Sequence, residues 1–170
     1  MPQPNPQTTI TPVQSHDIPE LLPFLMAARE DMFPKLHNTP IPADLAAFEQ
    51  MYLHGQGRFI VAKAQGRIIG AIGYLPYDRR FPGVDYGDLK AVEVVRLFVV
   101  PEYRRGGVAR GLYEALQDLA KEAGVDVIYL HTHPFLAGAV DFWHRQGFEL
   151  IRVDPDPLWQ TTHMQQHLPS

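Results

Sequence analysis

Cysteine is absent from the 170 residues. That excludes disulfides, thiolate metal sites and a cysteine nucleophile. Long apolar runs are missing as well: no stretch approaches the ~18 apolar residues of a membrane span. The opening MPQPNPQTT lacks the basic and apolar regions of a secretory leader. The expectation is a cytoplasmic protein that does not enter a membrane. Positive charge is in deficit, with a formal net charge of -4. A general binder of nucleic acid or of anionic membranes is therefore not expected, and any anion must be held by a local site.

What is present is an ordinary globular composition, 45% hydrophobic and 20% charged. The length suits one domain that buries roughly two-thirds of its unfolded surface. The Pro- and Gln-rich residues 1–8 read as a flexible N-terminus, and residues 9–170 as a single domain. TTITPV suggests a first strand. DIPELLPFLMAAREDMF has Asp17 as a candidate cap and a stripe of Leu21, Leu22, Leu25 and Ala28, which predicts a helix. PKLHNTPIP is a loop, and PADLAAFEQMYLH a second helix ending near Gly55. Two apolar segments around AQGR predict a hairpin. KAVEVVRLFVV is apolar almost throughout, which marks a central strand buried on both faces. Val108, Leu112, Leu116 and Leu119 form the apolar face of a helix that Gly124 stops. VDVIYLHT is the next strand, so strand, helix and strand make a βαβ unit with parallel strands and a right-handed crossover. AVDFWHRQ predicts a short last helix, and FELIRV and WQTTHMQQHL predict closing strands.

The joint of that βαβ unit reads VVPEYRRGGVARGLYEAL. Amides at a helix start have no partner within the helix, and the dipole places about half a positive charge there. Glycines that let the backbone curl can aim several amides at one anion, most often phosphate. Arg104 and Arg105 add positive charge. A plain glycine turn with solvated arginines is the other reading. No Lys-Ser or Lys-Thr follows the glycines, and Val108 stands where a dinucleotide loop would need Gly.

The pattern that does fit is R/Q-x-x-G-x-G/A, read as Arg104-Arg105-Gly106-Gly107-Val108-Ala109. It resembles the acetyl-CoA loop of the GNAT superfamily of N-acetyltransferases. LFVVPEYRRGGVA matches the family's strand and loop, and FWHRQGF at 142–148 matches its F/L-Y-x-x-x-G-F segment. The order of the other elements also agrees, so the resemblance covers nearly the whole chain. It implies an α/β GNAT-like fold: a mixed central sheet of about six to seven strands, with splayed parallel strands at 91–100 and 125–132, flanked by about four helices. It also implies that the pyrophosphate of acetyl-CoA lies on the loop from Arg104, Arg105, Gly106, Gly107 and Val108 to Ala109 and Arg110. The pantetheine arm would pair with Leu97, Phe98 and Val99, and Phe142 would close one side.

Acetyl transfer to an amine needs a neutral nucleophile. An amine of pKa about 10.4 is roughly one part in a thousand neutral near pH 7.4, an effect of about 4 kcal/mol. A general base addresses this. Glu93 is the candidate, a carboxylate in an apolar strand eleven residues before Arg104, the spacing at which many family members carry their base. A strand glutamate salt-bridged to Arg96 is the alternative. Trp143 stands where the family's thiolate-protonating tyrosine is usual, and Leu136 where an Asn is usual. Indole is a donor only, so Trp143 reads as a packing residue against the cofactor arm, and Tyr129, His131, His133 or water are left as acids. His131 and His133 could line the acceptor pocket or be polar strand-end residues; two histidines without a carboxylate are weak evidence for metal, and none is expected. Arg96 could bind an acceptor carboxylate or be paired within the fold. Arg79 and Arg80 could rim the pocket or be solvated. The expected activity is transfer of acetyl from acetyl-CoA to a primary amine by direct attack in a ternary complex. A small molecule is the first acceptor class, and a protein N-terminus or lysine the second. A CoA-binding module with little catalysis is the reading of a different class. A homodimer is compatible with all of them.

Overall fold

The computed structural model describes residues 8–34 and 39–169. Seven strands form one mixed sheet in the order β1-β2-β3-β4-β5-β7-β6. They are β1 Thr8–Pro12, β2 Arg58–Ala64, β3 Arg67–Pro76, β4 Ala91–Val99, β5 Val127–Thr132, β6 Glu149–Val153 and β7 Thr162–His167. Among the described residues four α-helices accompany them: α1 Ile18–Met32, α2 Ala43–Ala46, α3 Val108–Glu122 and α4 Ala139–Arg145. This is the α/β fold with a mixed sheet that the sequence implies. The strand β1 already begins at Thr8, which pairs with Ala64. The rest of the expected loose N-terminus lies outside the described residues, as does part of the loop after α1. Among the described residues no helix is long and apolar enough to cross a membrane.

The chain groups into two compact units. One comprises residues up to Leu75 together with Val95–Leu119, and the other Pro76–Val94 together with Ala120 onward. In the first unit, β1, β2 and β3 form an antiparallel meander. Its core is Leu21 and Leu25 from α1 packed with Leu45, Phe48, Tyr52, Phe59 and Val61. Burying a side chain of this size stabilises by roughly 1.5–3 kcal/mol, so this stripe of α1 accounts for its docking. Asp17 does not cap α1 through its side chain. Its carboxylate instead accepts from the Gln14 amide at 2.8 Å and from Lys63 Nζ at 2.5 Å.

The expected second helix is broken. After Ala46 the chain leaves helical geometry at Ala47, with φ -112° and ψ 34°, and then makes a π-helical turn over Glu49–Leu53. The cause is aromatic packing. The wide turn seats Phe48 and Tyr52 together on Phe59, with ring centroids 4.9 and 5.0 Å away, spacings favoured by edge-to-face contacts.

In the second unit β5 pairs antiparallel with β7, and β7 with β6. The parallel ladder joins Ala91, Val92 and Glu93 of β4 to Val127, Ile128 and Tyr129 of β5. Trp143 of α4 is buried, with the rings of Phe142 and Phe148 at 4.9 and 5.1 Å.

Candidate functional site

Along the chain, β4 runs into the arginine-glycine turn and then α3. Arg105 and Gly107 both have positive φ, 66° and 84°. Alternating signs of φ turn successive amides toward one side, the geometry of an anion nest. The helical ladder of α3 opens with the Gly111 amide donating to the Gly107 carbonyl at 3.0 Å. The earlier helical amides therefore have no partner further back in the helix. A Cβ built on Gly107 would meet nothing within 4 Å. The turn thus keeps open space where a side chain would otherwise stand, which fits a phosphate-bearing guest. Val108 is buried and anchors the turn, whereas Arg105 is exposed.

The loop arginines differ in what they touch. Arg104 folds back on β4: its Nε donates to the Val99 carbonyl at 2.7 Å, and its guanidinium lies 5.2 Å from the centre of the Phe98 ring. Arg110 pairs with Glu114 one turn along α3 at 2.8 Å. Arg96 holds Asp44 through two hydrogen bonds, of 3.0 and 2.6 Å, and the Tyr52 hydroxyl donates to the same carboxylate at 2.7 Å. Arg96 is thus paired within the fold, and its partner is not Glu93. Burial alone would raise the Asp44 carboxyl, but Arg96 and Tyr52 outweigh it and hold it below the usual carboxylate range. Arg96 also has φ 62° inside a strand, a conformation uncommon outside glycine. It stands directly before Leu97, Phe98 and Val99. A groove of about 350 Å³ in this unit is lined by Phe24, Gln65, Arg67, Glu102 and Tyr103 among others, and it includes neither Arg104 nor the glycines of the turn.

The second unit carries Glu93, His131, His133 and Phe142. Glu93 is 4% exposed. Both of its oxygens accept from Arg80, Nη1 to Oε1 and Nη2 to Oε2, each at 2.7 Å. His131 Nδ1 lies 3.2 Å from Glu93 Oε2; the approach is close but off a hydrogen-bond axis, and Nδ1 is shut off from solvent. Burial disfavours the Glu93 charge, yet His131 and Arg80 overcome it, and the carboxyl sits below the usual glutamate range. Arg80 is further held by Asp78 at 2.7 Å. Arg79 donates to the Gly87 carbonyl instead.

Around this pair lies a chain of rings. Phe81 is 5.2 Å from His131 and 4.9 Å from His163. His133 is 5.9 Å from His131, is stacked on Phe135 at 5.1 Å, and has its Nδ1 3.1 Å from the Trp159 carbonyl. Burial, reinforced by His131 and His163, holds the His133 imidazole below its ordinary value despite that hydrogen bond. Tyr129 is fully buried, with its hydroxyl 2.6 Å from His163 Nδ1, while His163 Nε2 is 3.0 Å from Asp154. Burial, and then the nearby Glu93 charge, push the Tyr129 phenol upward, so its proton is committed to this network. Arg80, Asp44 and Tyr52 were not assigned to these pairs by sequence. The only signal was a charged residue beside an apolar run, which names no partner.

A sequence model of the Acetyltransferase (GNAT) family matches residues 22–148. N-acetyltransferase 8 of Rattus norvegicus is 28% identical over 130 residues, which is 76% of this chain and 56% of the relative. The IAA acetyltransferase of Azospirillum brasilense is 33% identical over 105 residues, 59% of this chain and 63% of the relative. The chain therefore spans less than two-thirds of the length of either. The PaiA N-acetyltransferase of Thermoplasma acidophilum, solved in complex with coenzyme A, superposes with a TM-score of 0.69 at 15% identity. That match covers 95% of this chain and 99% of the other, a likeness of fold. The anion-nest turn, the strand order and a family match across most of the sequence agree: this chain belongs to the GNAT family of acetyltransferases.

Proposed function

We propose that the protein transfers acetyl from acetyl-CoA to a primary amine of a small molecule, by direct attack in a ternary complex. The observation that carries this reading is the turn at Arg105–Gly107, with its two positive φ values and the open space at the Gly107 Cβ position. Acetyl-CoA would supply the activated acetyl group. The backbone from Arg104 to Arg110 would hold its pyrophosphate, Leu97, Phe98 and Val99 would offer main-chain pairing to the pantetheine arm, and Phe142 would pack beside it. The Val99 carbonyl already accepts from Arg104, so pairing at that residue competes with the arginine. The buried Glu93, with Arg80 and His131 beside it, forms the centre that would handle the amine proton.

Two measurements test the reading. Acetyl-CoA and CoA should raise the melting temperature by mass action, and pantetheine far less, because it lacks the pyrophosphate. Equal stabilisation by pantetheine and CoA would remove the anion cradle. Release of free thiol over a panel of amines, including a peptide with a free N-terminus and free lysine, separates a small-molecule enzyme from one that acts on protein. Binding without thiol release from any amine would leave a CoA-binding module.

A further inference from the structure

We propose that His131 is the residue that takes the amine proton, with Glu93 as its positioning partner and Arg80 as the clamp on Glu93. This inference rests on the acetyltransferase reading above and names the proton acceptor within it.

The geometry argues against Glu93 itself. It is 4% exposed and both oxygens accept from one guanidinium. A carboxylate held this way is a poor acceptor, since burial is already offset by Arg80 and His131 and its carboxyl lies low. A base works best when its proton affinity is near the working pH, and a carboxyl held this low is far from that condition.

His131 has the complementary arrangement. Its Nδ1 is shut off from solvent and lies 3.2 Å from Glu93 Oε2, within ion-pair distance though off a hydrogen-bond axis. Its side chain is nevertheless 28% exposed, so the accessible part of the ring lies away from Nδ1. A carboxylate beside Nδ1 favours the tautomer protonated there and leaves Nε2 as the acceptor. When Nε2 takes a proton, the new positive charge faces Glu93. The other polar groups around the ring are Arg80, whose charge is engaged by Glu93 and Asp78, Tyr129 and His133 on either side along the chain, and His163 on β7. Tyr129 and His163 bond to each other, and His163 to Asp154. Among these, Glu93 is the carboxylate in contact with the His131 ring. Phe81 meets the imidazole in an edge contact, with ring centroids 5.2 Å apart.

The proton balance is complete. The substrate ammonium gives one proton to His131 Nε2, and its freed electron pair forms the N–C bond. The C–S bond breaks with its pair on sulfur, and sulfur takes the second proton from nitrogen. His131 then returns its proton to water.

Two experiments on the full chain decide the matter. The first needs no acceptor: long-range ¹H–¹⁵N spectra of the histidine rings, with His131 assigned by its loss in His131→Gln. Neutral His131 should carry its proton on Nδ1, and in Glu93→Ala it should revert to the common Nε2-protonated tautomer. An Nε2-protonated ring in the unmodified protein would overturn the proposal, because the lone pair would then face Glu93. The second is a pH–rate profile on the best amine of a panel of an aliphatic diamine, an arylethylamine, an amino sugar and a free amino acid. His131→Gln should lower kcat/KM by about 10²-fold near neutrality, with the loss shrinking as pH approaches the amine's own pKa and with CoA affinity unchanged. An active His131→Gln enzyme with an unaltered profile would sink this assignment and leave the acetyltransferase reading intact. If the unmodified enzyme releases no thiol with any amine, the acetyltransferase reading itself falls, whatever the tautomer.

Discussion

Arg80 and Glu93 meet as a bidentate pair, guanidinium edge to carboxylate edge, with two hydrogen bonds of 2.7 Å. The two partners are unequally placed: the Arg80 side chain is 42% exposed and the Glu93 side chain 5%. Removing either one therefore has different consequences. Arg80→Ala leaves a buried carboxylate with only His131 to offset it, and should destabilise by about 3 kcal/mol, the low end for a broken buried pair. Glu93→Gln leaves a guanidinium that can turn to water and Asp78, and should cost less than about 1 kcal/mol. In Arg80→Ala, burial then dominates and raises the folded-state value of Glu93. The deficit should be greatest near neutral pH and shrink as acid protonates the carboxyl. Urea unfolding of both variants from pH 5 to 8 measures the asymmetry, and equal losses would contradict it.

Asp44 gives a pH signature of the same sense, set by its own carboxyl. Its folded-state value is lowered, since Arg96 and Tyr52 overcome burial. The stabilisation is therefore full above the ordinary aspartate value and is lost as pH falls through the lowered one. Asp44→Asn should cost about 3 kcal/mol at pH 7, because Arg96 is left without its partner. The gap between variant and parent should close in acid below the ordinary aspartate value. Denaturation midpoints at several pH values check this, and a gap that stays constant down to the acid transition would rule it out.

Gly107→Val tests the turn. The position has open space but a φ of 84°, so the variant should fold with backbone strain of about 1–3 kcal/mol. The branched side chain would occupy the volume expected for phosphate. CoA affinity should fall at least about tenfold, or ~1.4 kcal/mol. Isothermal titration with CoA reads this directly; unchanged affinity in a folded variant would remove the turn from the cofactor site.

Tyr129→Phe tests the buried network. His163 is fully buried, and its Nδ1 has the Tyr129 hydroxyl as its partner at 2.6 Å. Deleting that hydroxyl strands a buried ring nitrogen and should cost about 1–3 kcal/mol. Because Tyr129 holds its proton within this network, kcat should change little on the same amine. A large fall in kcat with unchanged stability would make Tyr129 a participant in the chemistry.

Much of the architecture was legible because it is written in local pattern. The stripe of Leu21, Leu25 and Ala28, the two-sided apolar run of β4 and the glycines of the turn each declare their element within a few neighbouring positions. The pairings that define the site are not local. Arg80 and Glu93 are 13 positions apart, and Asp44 and Arg96 are 52 apart, so sequence could suggest Arg96 as a partner for Glu93 and still miss Asp44. The positive φ of Arg96 is equally silent, since a residue with ordinary strand neighbours gives no sign of a left-handed conformation. The break at Ala47 arises from where Phe48 and Tyr52 must meet Phe59, a constraint that helical periodicity alone does not carry.

The protein's two tryptophans sit in contrasting surroundings. Trp143, on α4 beside Phe142, is 5% exposed, whereas Trp159 is 42% exposed and packs against Phe135 and His133. An indole kept from water emits at shorter wavelength than one that water reaches, so the two differ in emission maximum. Replacing Trp159 with Phe leaves a single emitter next to the residue expected to flank the cofactor. The chain then has its own optical probe, and a guest arriving at Phe142 would register as a change in that emission without any attached dye.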